Sequence, residues 1–318
     1  ESPVDSLMIR YFVLQHKHSS TITERPCVLL LTGWSETYAK YCFWLQHLFM
    51  SGFHVFTMDH RSQGQSGRVL ENTQKGFVHS FDDYVSDVDY FVSQLLPACF
   101  HLPHDQAYNV LAHSMGGLVA VTFALNWPAR VARLCLSAPC LCPALPAPYP
   151  AVRAFVKLLK LLGKREEYVP GREDIRQPYF PRWGYPGMQT FNSNLKQAGE
   201  WEEWLRQHPH VISAGPTIQW LDTVLAAAGR ARDRYFSLVA PVLVLQAEKE
   251  LYVDNRWHNY FISQLMGPSQ LVTFKDAYHE LLHEIPPVRD ECFRLITNWF
   301  GLPAPGASSP PLLYLAQQ

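Results

Sequence analysis

Two stretches of this 318-residue chain hold residues of the types that do chemistry. The first, YNVLAHSMGGLVAVTFALNWP, sets Ser114 between an apolar, strand-like run and a mostly apolar helical pattern that ends before Pro128. A strand that turns sharply into a helix at a serine exposes the hydroxyl as a nucleophile, and the turn needs small residues two before and two after it. Gly116 meets that need, and Ala112 exceeds it by one methyl. Ser114 then stands at a helix N-terminus, where the dipole and the Met115 N–H can stabilise an oxyanion. The competing reading is an ordinary tight turn with a serine cap. A second oxyanion donor is expected from LLLTGWSETYAKY, where Gly33 lets the backbone turn the Trp34 N–H into the site.

The second stretch is FKDAYHELLHEIPP, from Phe274 to Pro287. It contains His279-Glu280-x-x-His283, the H-E-x-x-H pattern of zinc metallopeptidases. That chemistry needs both histidines on one face of a sustained helix, the glutamate as base, and a third protein ligand. Pro286 and Pro287 limit any helix through this stretch to about one turn. No histidine follows His283, and Glu291 is the downstream residue left to serve as a third ligand. The alternative makes His279 the general base for Ser114, in the chain order serine, acid, histidine. Three carboxylates precede it in VLVLQAEKELYVDN. Glu250 lies a few residues past the strand end, where it would orient the imidazole. Asp254 directly precedes the helical pattern NRWHNYFISQL, so helix capping is its simplest role, and it is the runner-up acid. Glu248 reads as a loop charge. The site expected from the residues is therefore Ser114, Glu250 and His279, with Trp34 and Met115 N–H groups as the oxyanion hole, and with no metal and no cofactor.

These residues need a scaffold. Short apolar runs at 7–14, 27–32, 54–58, 108–112, 132–137, 241–246 and 270–274 read as strands, and several lack polar alternation, as strands covered on both faces do. Helical patterns separate them. The clearest begins at Ser80, which with Asp83 forms a capping pair, carries Phe81, Tyr84, Val85, Val88, Phe91, Val92 and Leu95 on one face, and is predicted to end at Pro97. Strand–helix alternation predicts an α/β fold with a mostly parallel sheet and helices on both faces. The rhythm breaks over 140–238, a stretch that opens with the proline-dense APCLCPALPAPYP. The expected organisation is a core of 1–139 and 239–302, a cap inserted at 140–238, and a poorly ordered tail over 303–318.

The bulk properties restrict the function. A net charge of −1 and a pI near 7.0 supply no field for nucleic acid. The seven cysteines are mostly set in apolar runs, such as those of Cys27, Cys42 and Cys135, and Cys140 and Cys142 lack the second pair a zinc site needs, so reduced thiols are expected. No run is long enough to span a bilayer, and the first residues lack a secretory pattern. In the cap, PAVRAFVKLLKLLGKRE sets Arg153, Lys157, Lys160 and Lys164 beside Val152, Phe155, Val156, Leu159 and Leu162. A basic amphipathic helix of this kind either packs on the core or rests on an anionic membrane surface.

The segments MDHRSQGQSGR, FDDYVSDVDYF, LAHSMGG, AGPTIQW, LVLQAEKELYVDNRWH and KDAYHELLHE together resemble bacterial lysophospholipases of the α/β-hydrolase superfamily, and more distantly monoacylglycerol lipases. The similarity covers roughly residues 10–300. It implies an α/β-hydrolase fold and a serine hydrolase that releases fatty acid from lysophospholipids or monoacylglycerols, with a general medium-chain carboxylesterase or an acyltransferase as alternatives. It also implies a lipid ester as partner. The expected location is the cytoplasm, with peripheral contact to the inner membrane through the cap as the alternative to a cap helix packed on the core. The wider family carries its acid where this chain has Glu250, usually as Asp. Ser62 stands where a glycine is usual, and Asp59, Arg61 and Gly64 of that loop are expected to be structural. Non-catalytic binding proteins of this fold usually lose a triad member, and none is missing here.

Overall fold

Cys27–Leu31 and Tyr108–His113 carry no apolar–polar alternation, and both lie inside one sheet with every residue buried. The computed structural model describes residues 1–16, 25–175 and 191–301. Its strands are β1 (Tyr11–Leu14), β2 (Cys27–Leu31), β3 (His54–Met58), β4 (Lys75–Gly76), β5 (Tyr108–His113), β6 (Val131–Ser137), β7 (Gly215–Pro216), β8 (Val242–Ala247) and β9 (Ser269–Phe274). The helices are α1 (Cys42–Met50), α2 (Phe81–Tyr90), α3 (Leu96–Phe100), α4 (Met115–Asn126), α5 (Tyr149–Leu161), α6 (Leu195–Gln207), α7 (Ile218–Arg232), α8 (Asn255–Gln264) and α9 (Pro286–Trp299). The main sheet runs β1-β3-β2-β5-β6-β8-β9, with β1 antiparallel and every other pairing parallel. Strands β4 and β7 form a separate short pair.

Side chains leave β2 alternately to two core layers. Cys27, Leu29 and Leu31 join the layer shared with α2, α4 and α7, while Val28 and Leu30 join the one shared with α1 and α9. All seven expected sheet strands are present, though the first is shorter than predicted. The backbone of 7–10 pairs with the loop after β3 instead: Gly67 N–H donates to Met8 O at 2.7 Å, and Asp59 N–H donates to Arg10 O at 2.9 Å.

The helix at Ser80 begins as expected, with a full capping box between Ser80 and Asp83. It does not stop at Pro97. A π turn over Phe91–Leu95 shifts the ladder so that Leu96 N–H bonds Phe91 O, and α3 continues with Pro97 in its first turn, where no proline N–H is missed. His101, at φ +57°, ends it. Within 140–238, α7 is set apart by its packing. Trp220, Val224, Ala227, Ala228 and Ala231 are buried in the same core layer as α2 and α4. Part of the expected insertion, 176–190, and the expected tail at 303–318 lie outside the described residues.

The turn between β5 and α4 is the tightest point in the fold. Ser114 has φ +50°. Its N–H donates to Ser137 O on β6 at 3.0 Å, and its carbonyl accepts the Cys140 N–H at 2.8 Å. A Cβ added at Gly116 would lie 2.5 Å from both Leu31 O and Thr32 O, which are backbone atoms with nowhere to move. The small residue after the serine is therefore dictated by the end of β2. Ala112, the larger neighbour on the other side, is accommodated fully buried. Gly116→Ala should lower stability by about 1–3 kcal/mol, the usual cost of overpacking, read as a lower midpoint in urea unfolding. An unchanged midpoint would show that the turn has room this geometry denies it.

Candidate active site

Three loops at the carboxyl ends of parallel strands converge. The β5–α4 turn carries Ser114, the loop after β8 carries Glu250, and the loop after β9 carries His279. Ser114 Oγ–H donates to His279 Nε2 at 3.0 Å, and His279 Nδ1–H donates to Glu250 Oε2 at 2.7 Å. The tautomer follows from the neighbours, because a carboxylate facing Nδ1 can only accept. The Glu250 side chain is 2% exposed. Its other oxygen, Oε1, accepts the Tyr252 N–H at 2.8 Å and the Val253 N–H at 3.2 Å, which leaves Oε2 aimed at the imidazole.

The charges of this pair support one another. Burial alone would raise the Glu250 carboxyl, but the His279 ring and the two backbone N–H donors outweigh it and hold Glu250 below the usual carboxylate range. Burial alone would pull His279 down, but Glu250 outweighs it and holds the imidazole above its ordinary value of 6.5. A histidine so placed can take a proton from Ser114 and keep it while charge develops. His113, with its ring centroid 4.8 Å from that of His279, is pushed by burial down to about 4 and stays neutral beside it.

Asp254 does not reach His279. It caps α8, accepting the Arg256 N–H at 3.0 Å, and pairs with the Arg256 guanidinium at 2.7 Å. Glu248 accepts the Asp276 N–H at 2.8 Å in the neighbouring loop. Trp34 and Met115 both line one cavity with Ser114 and His279. Met115 is the first residue of α4, where the N–H has no preceding helical carbonyl. The N–H groups on either side of Trp34 are taken, Gly33 by Glu36 and Ser35 by Gln63, while no acceptor among the described residues takes that of Trp34.

The two histidines of H-E-x-x-H part company. Residues Leu281–His283 form a single 3-10 turn rather than a helix. His279 gives both ring nitrogens to Ser114 and Glu250, and His283 points Nε2 at Lys40 O, 3.1 Å away. Glu280 is held by Lys40 and Asn192. Among the described residues no group of three His, Cys, Asp or Glu side chains is arranged to hold a metal ion. Of the cysteines, Cys42 and Cys99 are exposed, so the apolar run around Cys42 does not bury it; the other five are buried and all seven are free.

The loop after β3 is structural in its contacts. Asp59 accepts from Thr37 Oγ1, Tyr38 N–H and Gln65 N–H at 2.8, 2.6 and 2.7 Å, and Arg61 pairs with Asp87 at 2.7 Å. Ser62 has φ +59°, a conformation that favours the glycine it replaces. Sequence reasoning passed over Glu36 and Lys40, which also line the cavity; their spacing of four in GWSETYAKY was the available signal.

The cavity measures about 1140 Å³ and its walls are mainly apolar. Above Ser114 it is bounded by Val152, Phe155 and Val156 of α5 and by Trp201, Trp204 and Leu205 of α6. A serine at the end of the fifth strand, hydrogen-bonded to a histidine that is in turn bonded to an acid, both on later loops, and this sheet order mark a hydrolase of the α/β-hydrolase fold. The chain belongs to the serine aminopeptidase, S33 family, whose pattern it matches over residues 23–286. It is 30% identical over 312 residues to lysophospholipase L2 of Escherichia coli K12, covering 94% of this chain and 85% of that one. To human monoglyceride lipase it is 25% identical over 267 residues, with coverage of 81% and 77%. The crystal structure of Paleococcus ferrophilus monoacylglycerol lipase superposes with a TM-score of 0.68 at 19% identity, covering 92% of this chain and 98% of that one.

The two acids separate in a simple comparison. Glu250→Gln should lower kcat roughly 10²–10⁴-fold, because an amide no longer fixes the imidazole tautomer or supports its charge. Asp254→Asn should stay within about twofold, since it touches only a helix cap. Steady-state hydrolysis of a p-nitrophenyl ester decides this, and comparable small losses in both would remove Glu250 from the role.

Proposed function

We propose that this chain is a serine carboxylester hydrolase that releases fatty acid from single-chain glycerolipids, lysophospholipids or monoacylglycerols, through an acyl-enzyme at Ser114. The observation that carries the reading is the relay Ser114–His279–Glu250 at the floor of a large, mostly apolar cavity. The names of the relatives point to the same substrates. In this mechanism Ser114 Oγ attacks the ester carbonyl carbon as His279 Nε2 takes its proton, and Glu250 stabilises the imidazolium. The carbonyl oxygen becomes an oxyanion held by the Trp34 and Met115 N–H groups. Collapse breaks the bond to the glycerol oxygen, to which His279 returns the proton. Water, deprotonated by His279, then cleaves the acyl-enzyme and frees the fatty acid.

Residues 140–238 act in this reading as a cap over a core of 1–139 and 239–302, with the covering part ending before α7. Supporting it, α5 and α6 wall the cavity while α7 packs among the core helices. The cap also meets the membrane. On α5 and just past its end, Phe155, Leu158, Leu161 and Leu162 are 49%, 52%, 85% and 63% exposed, beside Lys157 and Lys164, which are exposed as well. Lys160 is drawn inward instead, to Asp222. Among the described residues no helix is long and apolar enough to cross a bilayer, so contact through α5 is peripheral in this reading.

A panel of lysophospholipids, monoacylglycerols, p-nitrophenyl esters of graded chain length and an aminoacyl arylamide tests the substrate class. Long-chain single-acyl lipids should be the best substrates, and Ser114→Ala should lose at least ~10³-fold of the activity. Full activity in Ser114→Ala would sink the mechanism, and preference for the arylamide would replace the substrate class. Membrane contact is tested by sedimentation with vesicles containing anionic lipid. Replacing Leu161 and Leu162 together by Glu should weaken binding about tenfold or more, while hydrolysis of a short soluble ester is unchanged. Equal binding by both proteins would rule out α5 as the docking face.

A further inference from the structure

At the wall of the same cavity lies a buried ion cluster that the proposed mechanism leaves unused. Lys40 Nζ donates to Glu36 Oε1 at 2.7 Å and to Glu280 Oε1 at 2.5 Å, and none of the three side chains is more than 10% exposed. The two carboxylates belong to different halves of the site. Glu36 Oε2 accepts the Gly33 N–H and the Tyr41 hydroxyl, each at 2.6 Å, and Gly33 immediately precedes Trp34. Glu280 directly follows His279. Its Oε2 accepts Asn192 Nδ2 at 2.8 Å, and its N–H donates to Phe191 O at 2.7 Å. A continuous chain of contacts thus runs from the Trp34 loop through Gly33, Glu36, Lys40 and Glu280 to the backbone of His279.

The Trp34 loop needs such support. Ser35 has φ +62°, a conformation costly for a side-chain-bearing residue and held only where the surroundings over-determine it. Gln63 supplies part of the restraint, donating to Gly33 O at 2.7 Å and accepting the Ser35 N–H at 3.2 Å. Ser213 O, which accepts the Ser35 hydroxyl at 3.2 Å, and Glu36 add to it, and the fit at Glu36 is close: a Cβ at Gly33 would lie 2.7 Å from Glu36 Oε2. Burial alone would raise both carboxyls of the cluster, but Lys40 outweighs it and holds them below the usual range. Burial alone would lower the Lys40 ammonium, but Glu280 and Glu36 outweigh it and hold it above its ordinary value. All three groups are therefore charged, and removing the cation leaves two carboxylates facing each other without compensation.

We propose that Lys40 and Glu280 are positioning residues for the ester hydrolysis, setting the Trp34 N–H at a fixed place relative to the His279 imidazole. The proposal rests on the reading of Ser114, His279 and Glu250 as the catalytic relay. Neither residue touches substrate in this role. Displacing an oxyanion donor by a fraction of its contact distance costs the transition state and not the bound ground state, so the effect falls on kcat.

The test measures kcat per active site, with sites counted by stoichiometric reaction with a phosphonate ester, so that loss of folded protein is not mistaken for loss of rate. On p-nitrophenyl butyrate, Lys40→Met should lower kcat per site about 30–100-fold with KM within about twofold. Lys40→Arg, whose guanidinium can span both carboxylates, should recover most of that loss. Glu280→Gln, which leaves Lys40 paired with Glu36, should lose about 3–10-fold. Affinity for a trifluoromethyl ketone analogue should fall in step with kcat/KM across the three, which a purely structural role would not produce. A kcat per site within twofold of the parent in both Lys40→Met and Glu280→Gln overturns the proposal. If Lys40→Met yields no folded protein, Glu280→Gln decides on the same criterion. Ser114→Ala is measured alongside. Should it retain activity, the catalytic reading falls and this proposal with it; should it be inactive while the other variants run at full rate, only the positioning role is lost.

Discussion

The site depends on one strained residue at the end of β5. Ser114 occupies a positive φ of +50°, which costs about 1–3 kcal/mol for a residue with a side chain. The neighbouring strand β6 and the loop after it hold it there from both sides, through Ser137 O and the Cys140 N–H. Behind it, α4 is buried along nearly its whole length, so the helix cannot rotate to relieve the turn. This one conformation has three consequences. It lifts Oγ out of the sheet toward His279. It starts α4 immediately, leaving the Met115 N–H unspent at the positive end of the helix dipole. It also brings Gly116 against the carbonyls that end β2, so the turn is locked to the strand whose following loop carries Trp34.

A glutamate rather than an aspartate orients His279, and the loop after β8 is built to suit the longer side chain. The two N–H groups of Tyr252 and Val253 share Oε1, so the carboxylate is tethered at one oxygen and presents the other. The extra methylene is therefore restrained by backbone. Asp254, only four residues on, is spent on the first turn of α8 and on Arg256. Two carboxylates in one loop thus take separate work according to which N–H groups surround them, a division that their spacing from the strand already suggested.

Much of this was legible in the sequence, because the features concerned are local. Fully apolar runs such as CVLLL read as strands covered on both faces, and Ser80 with Asp83 reads as a helix start. The order of serine, acid and histidine, each just beyond a strand, follows from the parallel topology those runs demand. What escaped was non-local. Nothing near Pro97 announces that a five-residue π turn just upstream will let the helix pass it. Residues 7–10 read as strand but pair with the loop after β3, a choice made by Gly67 and Asp59 far along the chain. The packing of α7 among the core helices shows only when Trp220 and Val224 are seen beside α2 and α4. The Glu36–Lys40 spacing of four was open to view, but the second partner of Lys40, Glu280, is 240 residues away.

The H-E-x-x-H pattern illustrates how a motif changes meaning with its backbone. On a sustained helix its two histidines would face one way and the glutamate would serve as base. Here proline at 286 opens α9 so soon that residues 281–283 make only a 3-10 turn, and the histidines diverge. His279 looks into the cavity toward Ser114, whereas His283 turns back to Lys40 O and is held below its ordinary value by burial. Two glutamates of the same stretch bind neighbouring backbone and side chains: Glu280 meets Lys40 and Asn192, and Glu284 accepts the Tyr278 N–H at 2.9 Å and the Ser193 N–H at 3.0 Å. The residues on either side of His279 are thus fastened to the Trp34 side of the site and to the start of α6. The stretch that reads as a metal site by spacing is, by geometry, the joint at which the His279 loop, the Trp34 loop and the segment leading into α6 are held together.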